Sequence, residues 1–231
     1  LPISSDIAFR VNILSPLSSA LAVMFLYLII VQVVVHWRGK LESTTDMLVA
    51  VGGGIVGALV FAFTDSHWFN AVEAEVYAFS TFFTAIVVWL ILHWSERADK
   101  DGNERYILII AYMIGLATGV HLLNLLALPF LALIIFFRKY EFSYRGFAIT
   151  TVITGIVFYF INTGIINGMP KLVDKIGLPA LLLIYFIIFG SMVASIIYRK
   201  YIYAIGLTSV VLILIGYSSY AMIFIRSDQK P

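Results

Sequence analysis

Long apolar runs separated by short polar loops are the dominant pattern along this chain. The runs cover residues 17–37, 46–63, 76–94, 106–137, 147–166, 178–198 and 201–225. Most have the length of about 20 residues that an α-helix needs to cross the hydrocarbon core of a bilayer. Helices satisfy their own backbone hydrogen bonds in lipid. The pattern therefore predicts an all-α, polytopic bundle of transmembrane helices.

The run 106–137 is too long for a single crossing. One helix of that length would extend roughly 48 Å, against a hydrocarbon core of about 30 Å. Gly115, Gly119, His121, Asn124 and Pro129 interrupt the run. We therefore expect two short helices with a turn near residues 119–124, which gives about eight membrane segments. A re-entrant pair of helices is the alternative, and it also leaves both ends on one side.

Basic residues collect in four of the loops. The clusters are Arg38/Lys40, Arg97/Lys100/Arg105, Arg138/Lys139/Arg145 and Arg199/Lys200. Cytoplasmic loops carry an excess of Lys and Arg, so we place all four clusters inside. The outer face then carries residues 1–16, 64–75, 119–124, 167–177 and 226–231. We expect one transmembrane domain over 1–231, with 1–16 as an outer segment, 17–225 as the helix bundle and 226–231 as an outer tail.

The composition is typical of a membrane protein, and it argues against several other classes of protein and site. Hydrophobic residues make up 61% of the chain and charged residues only 12%, whereas soluble domains have about 25% charged residues. The absence of cysteine excludes disulfides and thiolate metal sites within the chain. A net charge of +2 is too small to predict a nucleic-acid partner. No phosphate-binding glycine loop, zinc-protease motif or nucleophile elbow is present.

The outer segment 64–77 concentrates polar side chains beside the membrane. These are Asp65, His67, Asn70, Glu73, Glu75 and Tyr77. Glu73 and Glu75 lead straight into an apolar span, where acids are costly and usually face a cavity or a partner. With Asp65 they are candidate ligands for a divalent cation such as Mg²⁺ or Mn²⁺, which prefers oxygen ligands. Either glutamate is also a candidate general base.

Helix geometry limits how Glu73 and Glu75 can act together. Side chains two residues apart on a helix point about 200° away from each other. The two carboxylates can therefore share one ion only where the backbone is not helical; otherwise one faces the cavity and one fixes the scaffold. A hydrated interfacial loop, with Trp68 and Tyr77 as aromatic anchors, is the alternative interpretation.

Three further positions are candidates for binding. His121 and Asn124 are three residues apart at the expected helix break, so both can face one side and line a polar cavity; a packed histidine that caps a helix is the alternative. Arg226 follows the last span and has the shape for bidentate phosphate binding, or it is an ordinary snorkelling residue. The same two interpretations hold for Arg10, just before the first span.

Two motifs carry a resemblance to a known family. Residues 69–77, Phe-Asn-Ala-Val-Glu-Ala-Glu-Val-Tyr, resemble one signature of the DUF2723 family, a large bacterial membrane family of unknown function. Residues 115–124, Gly-Leu-Ala-Thr-Gly-Val-His-Leu-Leu-Asn, resemble its second. Residues 8–15 and 225–227 match in character. That family is similar to protein O-mannosyltransferases and other GT-C-type glycosyltransferases.

The resemblance implies a GT-C-like membrane enzyme that moves a sugar from a polyprenyl-phosphate carrier to an acceptor such as a protein Ser or Thr hydroxyl. The reaction would take place at the outer, periplasmic face of the bacterial inner membrane. Glu73 and Glu75 would correspond to the acidic motif near the carrier phosphate or a metal. His121, Asn124 and Arg226 would line the lipid-phosphate pocket. We assign further substrate contacts to Arg10, His67, Asn70 and Tyr77, and expect no cofactor besides the divalent cation.

The resemblance also implies that part of the enzyme is missing. The catalytic acid of that superfamily usually lies in the first outer loop, between the first two spans. We expect this chain to be a fragment without that span and loop, without the C-terminal soluble region, and so without the catalytic base. Two other classes stay open. Broken helices with polar residues are a feature of transporters and flippases, although no internal repeat is evident, and a non-catalytic membrane subunit is the third class.

Overall fold

The structure is a computed structural model that describes residues 5–39 and 42–220. Every regular element in these two ranges is helical. The α-helices are α1 Ile7–Asn12, α2 Leu14–Arg38, α3 Thr44–Ala62, α4 Asp65–Val72, α5 Val76–Ser95, α6 Glu104–Val120, α7 Ala127–Lys139, α8 Tyr144–Tyr159, α9 Gly168–Ile176, α10 Leu178–Ile197 and α11 Tyr201–Tyr217. Two short 3-10 segments, Leu122–Leu126 and Ser218–Tyr220, and a π-helical segment, Phe160–Ile166, complete the described chain.

Seven helical stretches in the described ranges are long and apolar enough to cross a membrane. They are Ile7–Arg38, Thr44–Ala62, Val76–Ser95, Leu122–Lys139, Tyr144–Gly164, Leu178–Ile197 and Tyr201–Tyr220. Much of their apolar surface is exposed, and α10 buries none of its described residues, as expected of helices that contact lipid. The prediction of an all-α polytopic bundle is confirmed, and the chain is an integral membrane protein.

The break predicted within residues 106–137 is confirmed. Helix α6 ends at Val120, His121 lies outside any helix, and a 3-10 turn leads into α7. Helix α6 has 17 residues, so it extends about 25 Å, somewhat less than the hydrocarbon core. Seven stretches of the described chain are therefore long and apolar enough to cross the membrane, whereas about eight segments were expected. The difference is α6, which is apolar but slightly too short to be counted.

The described chain forms two compact units. The first unit comprises the described residues of Leu1–His93 together with Val120–Asn124, and the second comprises those of Trp94–Gly119 and Leu125–Pro231. The prediction of a single domain over residues 1–231 stays a prediction. The segment 120–124 belongs to the first unit, so the helix break after α6 lies with the residues of the acidic motif.

In the first unit, α2 and α3 form an antiparallel hairpin. Arg38 at the end of α2 pairs with Asp46 at the start of α3. Further along, a Cβ on Gly54 would lie 2.6 Å from Val31 Cγ2, and one on Gly57 would lie 2.7 Å from Ile30 Cδ1. The two glycines therefore allow the close helix approach that small residues give in lipid.

Helix α5 packs against α2 through aromatic rings in the same unit. The Phe25 ring of α2 lies 6.0 Å from the Phe82 ring and 5.4 Å from the Trp89 ring, measured between centroids. Phe83, Val87 and Ile91 of α5 are buried. This packing fixes the helix that begins directly after Glu75.

In the second unit, α6 and α11 run parallel and touch through glycine. A Cβ on Gly216 would lie 2.6 Å from the Tyr112 carbonyl oxygen and 2.7 Å from the Leu116 nitrogen, and one on Gly119 would lie 3.1 Å from Ser219 Oγ. At the other end, Glu104 is hydrogen-bonded to Tyr201. The two backbones are therefore in direct contact over the last two turns of α6.

Three of the four basic loops lie at one end of the second unit. Arg138 pairs with Asp99, and its Nε donates to the Ser95 carbonyl at 2.9 Å. Trp94 Nε1 donates to Asn103 Oδ1 at 3.2 Å. The pair of Glu104 and Tyr201 brings the start of α11 to the same end. If all three loops are cytoplasmic, they must lie at the same end, as they do here. Which end faces the cytoplasm stays a prediction.

Candidate functional site

The acidic segment after α3 is largely a short helix. The sequence suggested a loop over residues 64–75, whereas Asp65–Val72 forms α4. Thr64 precedes the helix in an extended conformation, and its Oγ1 donates to the Phe61 carbonyl at 2.8 Å. The chain therefore turns back towards the first unit directly after α3.

His67 is the buried residue of α4, with 5% of its surface exposed. Its ring centroid lies 4.3 Å from that of Phe61, and it is hydrogen-bonded to the backbone of Ser19. Burial lowers the pKa of His67, and the bond to the Ser19 backbone opposes this only in part. The ring is placed to anchor α4 against α2 and α3; its contact with substrate stays a prediction.

Residues 73–75 are not helical, and both glutamates are exposed. The Glu75 N–H donates to the Glu73 carbonyl at 2.9 Å. The backbone of this segment is therefore non-helical, as it must be if the two carboxylates are to share one ion. Glu75 also directly precedes the first residue of α5, where the helix dipole stabilises a negative charge. Catalysis by Glu73 and Glu75 stays a prediction.

Asp65 does not join the two glutamates. It begins α4 and Glu73 follows the end of that helix, so the two lie about 12 Å apart along the axis at 1.5 Å per residue. Ligands of one cation lie within about 2.6 Å of it. Among the described residues, no three His, Asp or Glu side chains are placed to hold a metal ion. The assignment of Asp65 as a third ligand and the divalent cation itself stay predictions.

His121 lies against Tyr77, and this contact joins the two sequence motifs. The ring centroids of Tyr77 and His121 are 5.8 Å apart. His121 Nδ1 accepts a hydrogen bond from the Leu123 N–H at 3.2 Å. The neutral ring then carries its proton on Nε2, which makes that atom a donor. Tyr77 and the half-buried His121 thus present two hydrogen-bond donors at the start of α5.

Asn124 is buried beside α5 and bonded to it. Its Oδ1 accepts from Ser80 Oγ at 3.2 Å and from Thr84 Oγ1 at 2.6 Å, and 5% of its surface is exposed. The Asn124 N–H donates to the His121 carbonyl at 3.1 Å. We refer to Tyr77, Ser80, Thr84, His121 and Asn124 as the break cluster.

Ser80 and Thr84 were not predicted as site residues. Their spacing holds a signal, because positions 77, 80 and 84 repeat at three and four residues and so share one face of α5. Polar residues on one face of an apolar span indicate a buried partner. The partner itself could not be identified from spacing, since Asn124 follows a helix break.

The remaining predicted residues lie outside the break cluster. Asn70 of α4 is half-buried. Arg10 lies in α1, and its Nε is buried without a hydrogen-bond partner in the described part of the chain. Arg226 lies outside the described residues. Substrate binding by these three side chains stays a prediction.

A polytopic helical membrane protein with a polar cluster at a helix break is the class that this fold and site define. The family model of the protein O-mannosyl-transferase TMEM260 N-terminal domain matches residues 1–144. The match covers more than half of the 231 residues, so the chain belongs to this family. Both motifs, 69–77 and 115–124, lie within the matched region. No solved structure gives a significant match to the chain.

The family match confirms the O-mannosyltransferase part of the resemblance drawn from the two motifs. Its description does not name the DUF2723 family, and that part stays a prediction. The GT-C fold, the carrier and the face of the membrane are likewise not named by it.

Proposed function

We propose that this protein is a membrane glycosyltransferase that moves a sugar from a polyprenyl-phosphate carrier to a protein Ser or Thr hydroxyl at the outer face of the membrane. Membership of a protein O-mannosyl-transferase family supports the reaction class. The observation that carries the site is the contact between Tyr77 and His121. It brings the two motifs together beside the exposed acids that precede α5.

The proposed reaction is a single displacement. The acceptor hydroxyl oxygen forms a bond to the anomeric carbon, and the bond between that carbon and the carrier phosphate oxygen breaks. The hydroxyl proton passes to a carboxylate, and general-base help of this kind contributes about 100-fold or more. Glu75 and Glu73 lie two and four residues before Tyr77 and are exposed. They are the acidic residues of the motif that also contains Tyr77.

The leaving phosphate gains negative charge, so donors aimed at it lower the barrier. His121 Nε2 and the Tyr77 hydroxyl would supply such donors. Arg226, predicted to follow the last span, would add a charge-assisted pair. The glutamates would hold a divalent cation if one binds, and it would neutralise phosphate charge.

A transfer assay tests the proposal. The full-length protein is reconstituted in liposomes with a sugar-loaded polyprenyl phosphate and a Ser/Thr peptide, and covalent sugar on the peptide is measured. We expect transfer by the natural protein and a rate loss of about 100-fold in Glu73→Gln or Glu75→Gln. Glu42→Gln is the control, because Glu42 is an exposed acid before α3.

Two results would contradict the proposal in different ways. Movement of the labelled lipid across the bilayer without any covalent product would indicate a transporter or flippase. Full transfer by both glutamate variants would leave the reaction class standing and would remove Glu73 and Glu75 from the site.

A further inference from the structure

The side chain of Asn124 is engaged by its own protein. Its Oδ1 accepts from two hydroxyls of one helix, Ser80 and Thr84 of α5. The residue is buried. A carboxamide oxygen has two lone pairs, so these two bonds use its acceptor capacity. The resemblance to glycosyltransferases implies that this residue lines the lipid-phosphate pocket. A phosphate oxygen could only accept from Asn124 Nδ2, and with 5% of the residue exposed a carrier phosphate has little access to that atom.

The segment around Asn124 controls where His121 lies. Helix α6 ends at Val120 and His121 is not helical, so no regular helix fixes its ring. The Asn124 N–H donates to the His121 carbonyl, and the Leu123 N–H donates to its ring. Residues 121–124 therefore form one tight turn. The bonds from Ser80 and Thr84 tie that turn to the helix that also carries Tyr77.

We infer that Asn124 is a positioning residue: bonded to Ser80 and Thr84, it holds the helix break against α5 so that His121 faces Tyr77. It acts on the reaction through His121 and not by contact with the carrier. The inference rests on the proposed function and gives one of its binding residues a different role. Thr84, with the shorter of the two bonds, is the residue through which the role can be tested without touching Asn124.

Loss of the Thr84 hydroxyl should loosen the break and displace His121. A shift of about 1 Å in a catalytic group can cost up to about 100-fold in rate. We therefore expect Thr84→Val to lower kcat by about 10-fold while KM for the carrier changes by less than about 2-fold. Thr84→Ser keeps a hydroxyl and should restore most of kcat.

Thr81→Val is the matched control. Thr81 lies one turn before Thr84 on α5, and its Oγ1 donates to the Tyr77 carbonyl of the same helix at 2.8 Å. The substitution is the same and the helix is the same, but no bond to the break is lost. Thr81→Val should keep kcat within about 2-fold of the natural protein.

A double-mutant cycle separates the two roles for Asn124. If Asn124 works through Thr84, then Asn124→Ala combined with Thr84→Val should be about as slow as Asn124→Ala alone. Effects that multiply, or full activity of Thr84→Val beside a slow Asn124→Ala, would overturn the inference. A rise in KM for the carrier in Asn124→Ala, with kcat unchanged, would also overturn it.

A second measurement does not depend on sugar transfer. The rate of His121 modification by diethyl pyrocarbonate is followed by mass spectrometry, with the buried His67 as internal reference. Thr84→Val should speed the modification of His121 several-fold, and Thr81→Val should not. If neither the natural protein nor any variant transfers sugar but Thr84→Val still speeds the modification of His121, the proposed function fails and the positioning role stands. If sugar is transferred and the two variants modify equally, the positioning role fails.

Discussion

At the scale of single residues, His67 shows how burial sets a charge state. Its ring packs on Phe61 and bonds to the Ser19 backbone, and burial lowers its pKa below the ordinary value of 6.5. The unfolded chain therefore binds a proton more readily than the folded protein as the pH falls. The contribution of His67 to the free energy of unfolding is then fully present well above pH 6.5 and is lost as the pH falls through 6.5, because stability rises with pH wherever the unfolded state holds more protons.

This pH dependence can be measured on the purified protein in detergent. We expect the thermal unfolding temperature to fall between pH 7.5 and pH 5.5, and His67→Gln to reduce that fall. His36→Gln is the control, since His36 is exposed at the end of α2. If the unfolding temperature depends on pH in the same way in His67→Gln and in the natural protein, then burial does not lower the pKa of His67.

The residues of the break cluster were only partly predictable. Tyr77, His121 and Asn124 belong to motifs that stand out from apolar sequence. Ser80 and Thr84 are ordinary small residues of a membrane span until their partner is known. That partner follows a change of helix direction, and spacing along one helix carries no information across such a change. The sequence therefore singled out Tyr77, His121 and Asn124 and missed the two hydroxyls that bond to Asn124.

At the scale of helices, backbone contact between α6 and α11 organises the second unit. Gly216 lies so close to Tyr112 and Leu116 that any Cβ would meet backbone atoms. Backbone cannot move aside as the end of a flexible side chain can. Gly206, on the same helix, has no atom within 4 Å of its Cβ position. The two glycines therefore differ in role although both lie in α11.

Alanine substitution should separate the two glycines. Gly216→Ala overpacks the helix contact and should destabilise the protein by about 1–3 kcal/mol. Gly206→Ala should be neutral or slightly stabilising, because alanine has the higher helix propensity. Unfolding in a denaturing detergent series measures both. Equal stability of the two variants would contradict the close contact of α6 and α11.

The helices themselves were largely predictable, and α4 was not. Apolar length predicts membrane spans because lipid requires it, and the long run 106–137 predicted its own break. Helix α4 has eight residues, and helices shorter than about 12 residues are marginal without tertiary contacts. Its stabilising contacts join His67 to the nearby Phe61 of α3 and to the backbone of Ser19 in α2, which is far away in the sequence.

At the scale of the whole molecule, the basic loops predict which ends face the cytoplasm. The second unit gathers Arg97, Arg138 and Lys200 at one end through the pairs of Arg138 with Asp99 and Glu104 with Tyr201. The parity of the spans predicts that the acidic segment 64–75 and the break cluster face outward.

Cysteine labelling tests this sidedness, since the chain has no cysteine of its own. Ser66 and Asp101 are both exposed. In a cysteine-free full-length protein, Ser66→Cys should react with a membrane-impermeant maleimide on intact cells. Asp101→Cys should react only after the membrane is permeabilised. The opposite pattern would show that the predicted topology is inverted. Reaction of both cysteines on intact cells would show that the two positions are not on opposite sides of the membrane.

We propose that the two motifs build one transferase site, with Tyr77 against His121. The most direct measurement is sugar transfer by Tyr77→Ala, His121→Ala and the double variant of the full-length protein, with Leu122→Ala, an exposed neighbour of His121, as control. We predict that each single variant loses about 10-fold or more in kcat/KM and that the double variant is little slower than the slower single, because residues of one site are not additive. Full transfer by His121→Ala, or losses that multiply in the double variant, would contradict a shared site.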